Sequence, residues 1–271
     1  TVYITGNPAR DATVTRTFEH GVQNLTAVNP ITGNTDTITQ YLADPVEMRL
    51  LHMVTADSAR TPTFTLFADP NYFLFHGAPN CNSPCVTELP GFAWNHGDVQ
   101  SDIVTTWLGV VGPGVKHLGA TGAVWSDHTD VRPTMLTLLG LQDDYASDGR
   151  ALFEVMYDWA VPQTLRAHRA TLQRLAETYK QLNACVGQLG LDTLRISTKA
   201  IESNTANDAT YSDLETQLSG INTQRDAIAG QMIGLLEDAT FGGHAINEQQ
   251  AKDLTAQAQS LLDSVNALAN S

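Results

Sequence analysis

Of the eleven prolines in this 271-residue chain, only Pro162 lies beyond residue 152, and that asymmetry limits the possible folds more than any other feature. Proline lacks a backbone N–H and its ring clashes with the preceding helical turn, so long helices are confined to stretches without it. The chain therefore divides near residue 152. In 1–152 proline and glycine are frequent and short β-rich runs alternate with loops; 153–271 reads as helix almost throughout.

The helical reading rests on periodicity. Leu165, His168, Leu172, Leu175, Tyr179, Leu182, Val186 and Leu189 advance in steps of three and four, which places them on one helical face. Leu214, Leu218, Ile221, Arg225, Ile228, Met232 and Leu235 form a second stripe, with Arg225 as a polar interruption, and Ala251, Leu254, Ala258, Leu261, Val265 and Leu268 a third. Ser212 to Glu215 fits a capping box, Gly242-Gly243 is a stop, and Asn247 suits the N-cap of the last helix. Short polar connectors predict antiparallel packing of three or four helices with the stripes inward, a structural or docking bundle. Cys185, on the first stripe, is expected to be a buried, unpaired thiol.

The first part has the alternation of an α/β layer fold. Strands are expected at Thr63–Phe67, Tyr72–Phe75 and Thr106–Val111, and Thr1–Gly6 reads as a strand entered midway. Val46–Met53 suits a helix after Pro45, with Ile38–Leu42 as the helix or turn before it. A further helix is expected at Asp130–Leu139, capped by Asp130 or Thr129, with Pro133 in its first turn.

Composition excludes several functions. A formal charge of −14 with only 15 Lys and Arg argues against a nucleic-acid-binding patch, which must neutralise phosphates. No apolar run approaches the roughly 18 residues of a membrane span. Two of the three cysteines, Cys81 and Cys85, flank a turn-rich loop that can close a small disulfide ring, which favours an exported protein; the alternative is two free thiols in a cytosolic loop.

The most informative motifs lie in 92–152: Phe92-Ala93-Trp94-Asn95-His96-Gly97-Asp98, then Val110-Val111-Gly112-Pro113-Gly114-Val115, then Thr129 through Leu141, then Asp148-Gly149-Arg150-Ala151-Leu152. In this order they resemble the C-terminal segment of the alkaline phosphatase superfamily, particularly its type I phosphodiesterase and nucleotide pyrophosphatase branch. The resemblance implies that 1–152 is the C-terminal portion of a three-layer α/β/α alkaline-phosphatase-like domain, with 153–271 a helical bundle appendage. It also implies a site with two divalent metals, usually zinc, at which a Ser or Thr nucleophile attacks a phosphate-ester substrate, with His96 as the last metal ligand.

No Asp followed by a Ser or Thr nucleophile precedes His96 in a recognisable setting. Asp127-His128 follows His96, whereas the family's Asp-His pair precedes the late His, so it reads as the approach to the Pro133 helix. The chain is therefore expected to be a fragment of an exported metal-dependent phosphodiesterase or phosphatase, inactive alone, its partner being the missing N-terminal part of the same domain. An uncovered sheet edge would then favour a homo-oligomer or poor solubility. Two other readings stay open: a non-catalytic binding or assembly module, and an intact enzyme with an unfamiliar site around His52, His76, His96, His117 and Asp98.

Overall fold

A computed structural model describes residues 1–75, 85–91 and 96–271. Its helices, in chain order, are α1 (Thr13–Gln23), α2 (Pro45–Leu50), α3 (Ser101–Val104), α4 (Val131–Leu139), α5 (Gln163–Ala167), α6 (Arg169–Asn183), α7 (Gln188–Glu202), α8 (Ala209–Glu237) and α9 (Glu248–Ala269). The strands are β1 (Thr26–Val28), β2 (Thr35–Thr37), β3 (Thr39–Ala43) and β4 (Thr65–Ala68). The protein is mixed but mostly helical, and its C-terminal part is helical. Among the described residues no helix is long and apolar enough to cross a membrane.

The compact units do not follow the compositional break at 152/153. One comprises Thr1–Trp107 with Leu191–Ser219, the other Leu108–Gly190 with Gly220–Ser271. The reason is that a helix needs its apolar face covered more than it needs its sequence neighbours: Ala200 and Ile201 of α7 and Tyr211 of α8 are buried in a core with Leu42 and Phe64.

In the first unit β3 and β4 pair antiparallel, with Leu42 opposite Leu66 and Ala43 opposite Thr65. Ile38–Leu42, expected as helix or turn, is thus largely strand; pairing with β4 outweighs local helix preference. The Asn29–Asn34 breakers turn the chain between β1 and β2, also antiparallel. The expected strand at Thr1–Gly6 is a single bridge from Val2 to Phe64. Leu42 N donates to Thr198 Oγ1 of α7 at 3.1 Å, which joins strand to helix. Tyr72–Phe75 is not strand in the structure. Thr106–Val111 likewise forms no strand; Trp107 in the first unit and Val111 in the second are exposed.

In the second unit α6 packs along α9, burying Leu172, Leu175, Tyr179 and Leu182 on one side and Leu254, Ala258, Leu261 and Val265 on the other. The first apolar stripe is not one helix. His168 leaves helical geometry between α5 and α6, and the chain turns again at 184–187. A side chain at Gly187 would put Cβ 2.6 Å from the Lys180 carbonyl oxygen, so this close turn needs glycine. Cys185 falls in that turn and is an exposed free thiol, not a buried one. The Asp130–Leu139 expectation matches α4, with Pro133 in its first turn.

Candidate functional site

The first unit buries an unusual set of charges. Helix α1 turns Thr15, Arg16, Glu19 and Gln23 inward and leaves Val14 and Phe18 largely outside, the reverse of an ordinary amphipathic helix. Asp44 is the N-cap of α2, and Glu47, three residues on, accepts the Asp44 backbone N–H at 2.8 Å through Oε2. Glu215 arrives from α8. It is not the closing residue of a cap at Ser212, since α8 already begins at Ala209; it is fully buried.

These elements bring Glu19, Asp44, Glu47 and Glu215 together, none more than 3% exposed. Carboxylate oxygens of Asp44, Glu47 and Glu215 lie within 4.8 Å of one another. The cations against them are Arg10, whose Nη1 donates to Glu215 Oε2 at 3.1 Å, and Arg16, which pairs with Glu19 and sits 3.7 Å from Asp44. The Arg16 guanidinium also stacks 3.5 Å above the Tyr211 ring and donates through Nε to Asp208, which in turn holds His20.

Four carboxylates facing two guanidiniums leave a deficit of positive charge, and burial raises all four acids. Glu19 is pushed up to about 10, first by burial and then by its contact with Asp44. Glu47 rises well above the usual carboxylate range through burial and the adjoining Glu215, while Asp44 and Glu215 rise through burial despite the arginines. Unfilled valences remain. Glu19 Oε1, Glu47 Oε1, Glu215 Oε1, Ser197 Oγ and Tyr211 Oη are buried without a hydrogen-bond partner.

The second unit holds a different cluster, built on the motif residues 125–154. Lys180, 1% exposed, directs its ammonium at Asp127 Oδ2 (2.8 Å), Asp130 Oδ1 (3.0 Å) and Thr129 Oγ1 (3.1 Å), one acceptor for each proton. Asp130 also accepts the backbone N–H groups of Arg150 and Asp127. Buried Arg150 pairs with Glu154, Leu152 N donates to Thr134 Oγ1, and Tyr179 Oη donates to the Asp148 carbonyl. Gly149 lies so close to Thr129 that a Cβ there would stand 1.9 Å from its carbonyl oxygen. Burial opposes ionisation of Asp127, but Lys180 and Thr129 hold its carboxyl below the usual range. Asp127 also caps the short turn ahead of α4 through Thr129 N, in line with its reading as a helix approach.

His96 is exposed and is not part of the carboxylate group, which among the described residues is the grouping with metal-ligand spacing. The residues described here therefore do not by themselves make a two-zinc centre, and no catalytic step is assigned to one. His76, Cys81 and 92–95, which open the His96 motif, lie outside the described residues.

The carboxylate set escaped sequence reasoning because its members are far apart: Arg10 and Glu215 are 205 positions from each other. One local signal existed. Arg16, Glu19 and Gln23 recur at helical spacing and mark a polar stripe where an apolar one is normal. No family model, curated protein or solved structure matches this chain.

Proposed function

We propose that this chain is the C-terminal portion of an exported, metal-dependent phosphoric-ester hydrolase of the phosphodiesterase or phosphatase type, with His96 as one of several ligands around two zinc ions. The ordered motifs from Asn95 to Leu152 carry the reading. On this view residues 1–152 complete a three-layer α/β/α domain whose nucleophile and other ligands are supplied from outside these residues. The packing of two motif blocks supports it: Thr129–Leu141 and Asp148–Leu152 are joined through Asp130, Thr134 and the glycine contact at Gly149. An imidazole suits zinc in an open site, which is the role the resemblance gives His96.

The test uses p-nitrophenyl phosphate and bis-p-nitrophenyl phosphate with added zinc. The chain as it stands should show no turnover, and a longer gene product carrying the upstream residues should show turnover that falls at least a hundredfold in His96→Ala. Metal-dependent hydrolysis by the present chain, lost in His96→Ala, would mean that the site is complete here. Undiminished turnover of a His96→Ala variant of the longer protein would remove His96 from the site.

A further inference from the structure

The carboxylate set of the first unit is short of positive charge and rich in unfilled oxygen valences, and both shortages have the same remedy. Glu47 spends one oxygen on the Asp44 backbone and Glu215 spends one on Arg10, leaving Oε1 of each buried and without a partner. Ser197 on α7, fully buried, places its hydroxyl against the Glu215 carboxyl without a hydrogen bond of standard geometry. A buried hydroxyl beside the Glu215 carboxyl and without a standard hydrogen bond is a neutral oxygen that a metal ion can take as a ligand.

We propose that Asp44, Glu47 and Glu215, with the Ser197 hydroxyl, bind one calcium ion that ties α2, α7 and α8 together. Every donor is oxygen, which selects hard cations over zinc or copper. Ligand atoms within 4.8 Å of one another suit Ca–O bonds of about 2.3–2.6 Å, which separate opposite ligands by about 5 Å. Magnesium, at about 2.0–2.1 Å, demands near-ideal octahedral geometry and keeps its waters, which suits an enclosed carboxylate set less well. Three carboxylates and a hydroxyl supply up to about seven oxygens when the carboxylates are bidentate, within the usual calcium range. Charge agrees as well. The four inner acids, Glu19 included, exceed Arg10 and Arg16 by two negative charges when ionised, which one divalent cation would offset, and Arg16 also serves Asp208 through Nε.

Carboxylates bind a metal ion in their deprotonated form, so any proton the set holds is released when the ion binds. The other charged groups facing the site are Glu19, Arg16 and His20 from α1, Arg10 ahead of it, and Asp208 ahead of α8.

The test is calorimetric titration of the full chain, stripped with chelator, with CaCl2, MgCl2 and MnCl2 at pH 6 and pH 8, alongside thermal melts. One calcium per chain is expected, with a raised Tm. Glu215→Gln should weaken binding at least tenfold and Ser197→Ala severalfold, with circular dichroism unchanged in Ser197→Ala. Should Glu215→Gln not fold, Ser197→Ala decides alone. Absence of calcium binding at pH 8, wild-type affinity in Ser197→Ala, or magnesium binding as tightly as calcium would overturn the proposal.

Discussion

In the second unit, each proton of the buried Lys180 ammonium meets an acceptor on Asp127, Thr129 or Asp130, and Asp130 takes two backbone N–H groups besides. In the first, Glu19, Asp44, Glu47 and Glu215 crowd two arginines and leave several oxygens with nothing to bind. Both clusters are buried and both are made of Asp, Glu, Lys or Arg. The difference lies in partner count. A buried ion pair resists removal because its loss strands the other charge, whereas a buried excess of one sign is tolerated only by taking up protons or a counter-ion. The Lys180 cluster of the second unit is structural glue; the carboxylate cluster of the first unit has an open requirement.

The sharpest way to break this contrast is Lys180→Met. It strands Asp130, which is fully buried, and should cost about 3–5 kcal/mol, read by urea unfolding through Trp125, whose ring lies 5.7 Å from Lys180. A cost under 1 kcal/mol would show that the cluster is incidental. Gly149→Ala, which forces Cβ onto the Thr129 carbonyl, should cost about 3 kcal/mol in the same assay.

Next comes pH, to which the two units should respond in opposite directions. The acids of the first unit have raised folded pKa values, so the native state holds more protons than the unfolded chain above the ordinary carboxylate range. Their contribution is full below pH 4.5 and is lost as pH climbs toward about 10, where Glu19 titrates. Asp127 is held below its ordinary value of 3.8, so its contribution is present above that pH and is lost as pH falls through its folded pKa. Hydrogen exchange on the calcium-free chain at pH 5 and pH 9, corrected for intrinsic rates, should show protection in the first unit falling at alkaline pH; acid titration followed at Trp125 should weaken the second. Parallel responses would erase the distinction.

The smallest effect is expected for Glu47→Gln. Burial and the adjoining Glu215 push the Glu47 carboxyl well above the usual range, so the neutral amide is a close substitute, and stability at pH 6 should move by no more than about 0.5 kcal/mol. A loss of several kcal/mol would mean that the carboxylate charge itself is needed there.

Which parts of this fold are legible from sequence follows from where the apolar residues sit. The second unit is largely readable because α6 and α9 bury regular stripes, Leu172 to Leu182 and Ala251 to Val265, and because Pro133 marks the first turn of α4. The breaks at His168 and Gly187 were hidden, since the stripe continues in register across both. In the first unit the stripe rule fails at α1, whose inward face is Arg16, Glu19 and Gln23. The carboxylate site was illegible for a further reason. Asp44 and Glu47 serve locally at the N-terminus of α2, and nothing local links them to Glu215 on a helix some 170 positions away.

Helix α1 has one further consequence. A helix that docks through apolar side chains releases ordered water and leaves a heat-capacity change, so its hold fades on cooling. With Val14 and Phe18 outside and charges within, the docking of α1 carries little of that signature. As the rest of the unit loses hydrophobic cohesion in the cold, α1 should keep its grip.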